Sequence, residues 1–230
     1  ARVEELGRAH SSDACFEHTV QPGMVYISNP TECGTVYTRG ELEALHAVCK
    51  ARHLPLFIDG ARLGAALYSP VCDYTLADMA HMCEVFTIGG TKMGLLFGEA
   101  AVFSAPELAK DFRYFIKQNG GMLAKGRLLG LQFDALFTDG LYQEISAHAI
   151  AMAEKLREAF TAKGYTYLAP NRTNQIFVIV PDAHLAKISE QFEYSYDQRI
   201  DATHSCVRFC TGWATREENV DALIRCVEQL

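Results

Sequence analysis

The sequence predicts an α/β fold. It places part of a large domain with a mostly parallel central sheet over residues 1–140, a long linking helix over 141–164, and a small C-terminal α+β domain over 165–230. Three observations predict it. Four short, unbroken apolar runs, "MVYIS" (24–28), "LPLFID" (54–59), "VFTIG" (85–89) and "AAVFS" (100–104), have the character of strands buried on both faces. Segments of helical period separate or follow them. Beyond Gly164 the period changes again, and strands and helices alternate in shorter units.

Taken in order, "ARVEELGRAH" reads as part of a helix, without an initiator Met or a signal pattern. No glycine-rich turn between strand and helix precedes position 23, so the chain is expected to be the later part of a longer protein. Between the first two strands, Leu42, Leu45, Val48 and Cys49 share one helical face, and Thr38 with Glu41 fits a capping box. Thr75 is the expected cap of a short helix near "TLADMAHMC". Three helical stretches follow, "APELAKDFRYFIKQNG", "MLAKGRLLGLQFDALF" and "LYQEISAHAIAMAEKLREAFTAKG", the last stopped by Gly164. In the final part "NQIFVIV" and "SCVRFCT" read as strands, and "DAHLAKISEQF" and "TREENVDALIRCVEQL" as helices.

With 230 residues the chain can bury about 70% of its unfolded surface, enough for a real core. A formal charge of −7, with no basic stripe interleaved with aromatics, argues against a nucleic-acid partner. No apolar run is long enough to span a membrane. Eight cysteines without a Cys-x-x-Cys pair fit reduced thiols in a cytoplasmic protein. Asp73, His81 and Cys83 do not share a helical face, so no metal site is expected. Cys206 and Cys210 lie too far apart along one strand to bridge, and no nucleophile elbow accompanies any Ser, His and Asp set.

Two sites carry the chemistry. In "FTIGGTKMG" (86–94), Lys92 follows an apolar strand and two glycines. A phosphate loop would need Ser or Thr after the lysine, and Met93 stands there. The other functional reading is a nucleophilic amine that bonds a carbonyl cofactor. In "LFIDGARLGAAL", Asp59 ends a strand just before a turn and Arg62, at the edge where open α/β sheets gather ligands. Asp59 before Gly60 also reads as a turn former. Pyridoxal 5′-phosphate needs both a lysine and an acid beside its ring nitrogen.

These stretches, with "PTECGT" (30–35), "FIKQNGGMLAKGRLLGLQF" (115–133), "TNQIF" (173–177) and "VRFCTGWAT" (207–215), resemble the threonine aldolase and β-eliminating lyase family. These are pyridoxal-phosphate enzymes of the aspartate-aminotransferase fold type. The resemblance implies that Lys92 tethers the cofactor, Asp59 meets its pyridine nitrogen and Thr91 belongs to the same cofactor site. It makes Arg62 and Arg208 the grips on a substrate carboxylate, matched to it by their planar forks. Read alone, Arg62 is equally a salt-bridging helix residue, Arg208 an edge-strand charge, and Lys117 a solvated helix end. The resemblance gives Lys117 a cofactor phosphate, across a subunit boundary. Lys125 and Arg127 could serve likewise or line an exposed face.

Glu32 stands where better-known members carry a histidine, and its carboxylate could act as the general base. The implied reaction is aldol cleavage of a small β-hydroxy amino acid to glycine and an aldehyde, in a homodimer or homotetramer with interfacial sites. β-Elimination, transamination and a non-catalytic module or incomplete fragment retaining the fold are the alternatives. The resemblance also implies that the family's amino-terminal third, with its phosphate-cradling turn and stacking ring, has no counterpart in this chain.

Overall fold

Each unbroken apolar run becomes a strand beside the next, in a computed structural model that describes residues 2–230. The order begins with α1 (Arg2–Ser12), β1 (Val25–Ser28), α2 (Arg39–Ala51), β2 (Leu56–Asp59), α3 (Leu63–Leu67), α4 (Leu76–Met79), β3 (Val85–Gly89) and β4 (Glu99–Phe103). It continues through α5 (Phe112–Gln118), α6 (Arg127–Phe137), α7 (Leu141–Ala162), β5 (Thr166–Tyr167), β6 (Gln175–Pro181), α8 (Asp182–Ile188), β7 (Ser195–Arg199), β8 (His204–Cys210) and α9 (Glu217–Glu228).

The first sheet runs β1-β2-β3-β4. Its first three strands are parallel and β4 returns antiparallel to β3. The register sets Ser28 opposite Asp59 and Phe57 opposite Val85. Because side chains alternate along a strand, Leu56, Ile58, Phe86 and Ile88 share one face. That face is buried with Leu42, Cys49, Leu63 and Met79 of the neighbouring helices. Helix α2 opens on the expected capping box: the Glu41 amide donates to Thr38 Oγ1 at 3.3 Å, and the Thr38 amide donates to Glu41 Oε2 at 2.8 Å. Thr75 caps α4 in the same way.

The second sheet is antiparallel throughout, in the order β5-β6-β8-β7. Ile176, Val178, Val180, Val207 and Phe209 pack with Leu156 and Phe160 of α7, Leu185 and Ile188 of α8, and Val220, Leu223 and Val227 of α9. Helix α7 belongs to both cores, since Tyr142 near its start is buried with the first cluster and Phe160 near its end with the second.

Three details differ from the sequence expectation. The stretch after Ala105 is split into a 3-10 turn (Pro106–Ala109) and α5, parted by Asp111 at φ 62. Helix α6 begins only at Arg127, although a helix was expected from Met122. Strands β5 and β7 were not foreseen: the first has two residues, and every residue of the second is exposed.

Candidate active site

Two strand ends meet at the site with their backbones in contact. A Cβ on Gly60 would lie 1.8 Å from the Thr87 carbonyl oxygen, and one on Gly89 would lie 2.5 Å from that of Ala61. Only glycine permits this approach. The Gly60 amide donates to Thr87 Oγ1 at 2.9 Å and the Gly89 amide to the Gly60 carbonyl at 3.0 Å. The turn after β2, with Asp59 and Arg62, is thereby fastened to β3, which leads straight into the lysine turn.

Asp59 is half-buried and bonded through both carboxylate oxygens. Oδ1 accepts the Ala61 amide at 2.9 Å, the turn-forming bond that the Asp-Gly pair suggested. Oδ2 accepts the Tyr26 hydroxyl. The hydrogen bond to Asp59, then burial and the charges of Asp59, Glu32 and Glu99, push the Tyr26 phenol up to about 12. A bound anion disfavours loss of a second proton nearby, which is the reason for that direction. Tyr26 remains 56% exposed, with its ring stacked on Phe57 at 5.3 Å.

Lys92 occupies a 3-10 turn, Thr91–Met93, at the end of β3. Met93 is buried beneath it, and the Met93 amide donates to the Gly90 carbonyl at 2.9 Å. Thr91 and Lys92 are exposed and line a cleft of about 400 Å³ with Arg62, Asn174, Thr211 and Trp213. Thr91, Lys92 and Arg62 are therefore brought together, whereas Asp59 does not line the cleft and ends β2 three residues before Arg62.

The remaining expected residues stand at different remove. Glu32 is exposed in the turn over 31–35, which is closed by the Thr31 amide donating to the Thr35 carbonyl at 2.9 Å. Its charge reaches the Tyr26 phenol and so the Asp59 corner. Arg208 sits mid-strand in β8, opposite Phe177, with its guanidinium 5.9 Å from that ring and Nη1 donating to Gln175 Oε1 at 3.2 Å. It is half-buried and lines a neighbouring cavity that shares Cys210, Thr211 and Thr215 with the lysine cleft. Lys117 lies apart from both, exposed on α5 along a groove with Glu99, Arg113 and Leu129. Lys125 and Arg127 are exposed. Among the described residues no cluster of His, Cys, Asp or Glu could hold a metal ion. No helix among them is long and apolar enough to cross a membrane.

Three polar atoms near the cleft are buried without a partner: Asn174 Oδ1, Gln175 Nε2 and Arg208 Nε. Buried polar groups ordinarily find partners. This cluster of two donors and an acceptor beside a lysine and a second arginine fits an anionic molecule carrying its own donors and acceptors. An exposed amine, a carboxylate held by the Ala61 amide and two guanidinium groups form the donor set that an aldehyde cofactor and an amino acid would need.

Sequence reasoning missed Tyr26, read only as one member of an apolar run. The register was the available signal, because Tyr26 precedes by two the residue opposite Asp59 and so shares its face. Asn174, Thr211 and Trp213 lie within stretches that resemble the family but carry no sequence signal of their own.

The family model of the beta-eliminating lyases matches residues 2–183. A low-specificity L-threonine aldolase of a Pseudomonas species is 31% identical over 207 residues, covering 90% of this chain and 59% of its own length. A solved threonine aldolase of Leishmania major superposes with a TM-score of 0.91 at 41% identity, over 96% of this chain and 64% of that one. An L-allo-threonine aldolase-like structure from Listeria monocytogenes, 18% identical, shares the fold with a TM-score of 0.71 over 93% of this chain and 63% of its own. The chain thus spans about three fifths of the length of the relatives it matches.

Proposed function

The chain belongs to the beta-eliminating lyase family, and from that premise we propose that the protein is a pyridoxal-phosphate-dependent lyase cleaving a β-hydroxy amino acid to glycine and an aldehyde. One observation carries the reading. The Arg62 guanidinium and the exposed Lys92 amine line one cleft, and the turn that carries Asp59 and Arg62 is fastened backbone to backbone to the strand that leads into Lys92, which supports this reading. The names of the relatives point to the same chemistry.

When bound, pyridoxal phosphate supplies an electron sink for the carbanion that cleavage leaves. Lys92 holds its aldehyde, with Thr91 alongside. Asp59, which accepts the Ala61 amide and the Tyr26 hydroxyl, would hold a proton on the ring nitrogen. Arg62 and Arg208 grip the substrate carboxylate with paired, charge-assisted bonds, and fix which bond of the amino acid is broken. Glu32 takes the proton of the substrate hydroxyl. Lys117 serves a cofactor phosphate in a neighbouring copy, in keeping with its distance from this chain's own cleft and with a homodimer or homotetramer. The absence of any disulfide among the eight cysteines supports a cytoplasmic setting.

The test is spectral and chemical. The protein loaded with pyridoxal phosphate should show the visible band of a lysine-bound aldehyde, and Lys92→Ala should lose it. With threonine the products should be acetaldehyde and glycine; a 2-oxo acid instead would assign β-elimination or transamination. No band in either protein would leave a non-catalytic module.

A further inference from the structure

We propose that Trp213 is a positioning residue for Lys92: its indole covers Gly94 and holds in place the turn that presents the lysine. The inference rests on the reading of Lys92 as the cofactor lysine.

The lysine turn has little to hold it on its own. It is a three-residue 3-10 segment, closed by the Met93 and Leu95 amides, both donating to the Gly90 carbonyl at 2.9 and 3.1 Å. Such turns have poor hydrogen-bond geometry. Gly94 follows at φ 91, a left-handed conformation that leaves its backbone without a side chain for cover. The cover comes from another element. The indole Cγ and Cδ2 of Trp213 lie 3.6 Å from where a Cβ on Gly94 would stand.

That indole is itself anchored. The turn after β8 is closed by the Gly212 amide donating to Thr215 Oγ1 at 2.8 Å. It is pinned to α7 at two places: Thr211 Oγ1 donates to the Ala149 carbonyl at 2.6 Å, and His148 Nε2 pairs with the Thr215 carbonyl at 2.8 Å. Trp213 is 52% exposed, yet it forms a wall common to two spaces. On one side is the polar cleft of Arg62 and Lys92. On the other is an apolar recess of about 360 Å³ lined by Met93, Leu95, Leu136, Leu141 and Ile145. A large aromatic ring left half in solvent has a reason to be there if it is a partition and a clamp.

The experiment reads amide hydrogen exchange at Met93 and Leu95 in the protein without cofactor, with Val178 and Val207 of the second core as references. Trp213→Ala should speed exchange at the two turn amides on the order of tenfold, and leave the references unchanged. Trp213→Phe, which keeps a ring over Gly94, should stay near the parent. Should Trp213→Ala fail to fold, Trp213→Leu, which fills the recess without spanning Gly94, reads the same amides. Unchanged exchange at the turn, or an equal rise at the references, overturns the proposal. In the loaded protein, Trp213→Ala should also shift the pH midpoint of the visible band, and Trp213→Phe should restore it. Because the exchange needs no cofactor, a local rise with no visible band in the parent overturns the proposed function alone. A band with unchanged exchange overturns the role of Trp213 alone.

Discussion

The two sheets are finished to different degrees. The second has Ile176, Val178, Val180, Val207 and Phe209 sealed by α7, α8 and α9, and its unburied strand, β7, is short and polar. The first buries one face, whereas Tyr26, Phe57, Ala101 and Phe103 of the other remain partly or fully exposed. Large apolar side chains nearby are also open, among them Tyr114, Phe115, Leu128 and Leu131. The sheet that holds the Asp59 and Lys92 corner is thus the less complete one, and the sealed sheet supports it through α7.

That contrast can be broken most forcefully in the sealed core. Phe160 is fully buried there, and Phe160→Ala should cost about 3–5 kcal/mol, read by urea unfolding. A single transition shared by both cores would show that α7 makes them one cooperative unit; two separate transitions would sharpen the distinction. Next is Gly60→Ala, whose new methyl group would collide with the Thr87 carbonyl. It should cost about 1–3 kcal/mol, or more, by thermal unfolding, with exchange protection lost at Gly60 and Gly89 and kept in β6. Thr38→Ala, which removes one half of the α2 capping box, should cost about 1 kcal/mol in the same assay.

The smallest effect changes with pH only in alkali. The Tyr26 phenol rises from 10.0 to about 12, with its bond to Asp59 the leading cause. Its neutral form is favoured in the folded protein, so the contribution is complete below pH 10 and disappears as the pH climbs toward 12. Tyr26→Phe should remove that contribution, so stability falls slightly at neutral pH and the further, pH-dependent loss between pH 10 and 12 disappears. A phenolate titration followed by ultraviolet absorbance should show one fewer late-ionising tyrosine.

What the sequence disclosed follows from where the physics is local. Unbroken apolar runs made β1 to β4 visible within a residue or two at their ends, but the burial on both faces expected from them fails at β1 and at the antiparallel β4, whose residues are only partly buried or exposed. A capping box is a contact between neighbours in the chain, so Thr38 with Glu41 could be read directly. The split at Asp111 turns on one residue's left-handed backbone, which the residue type does not dictate. Strand β7 owes its existence to its pairing with β8, including a register shift between Tyr196 and Gln198, and has no buried residues to announce it. In the candidate site, the Asp59 and Lys92 motifs were legible as types. Tyr26 and Trp213 were hidden because their partners, Asp59 and Gly94, reach them only through folding.

Helix α7, 22 residues and about 33 Å long, runs from one core to the other. For anyone recombining this protein with a relative, a crossover within that helix would mate a Tyr142 fitted to one parent's packing with a Phe160 fitted to the other's. Junctions placed in the turns on either side of it keep each interface with its native counterpart, which makes the helix itself an indivisible cassette.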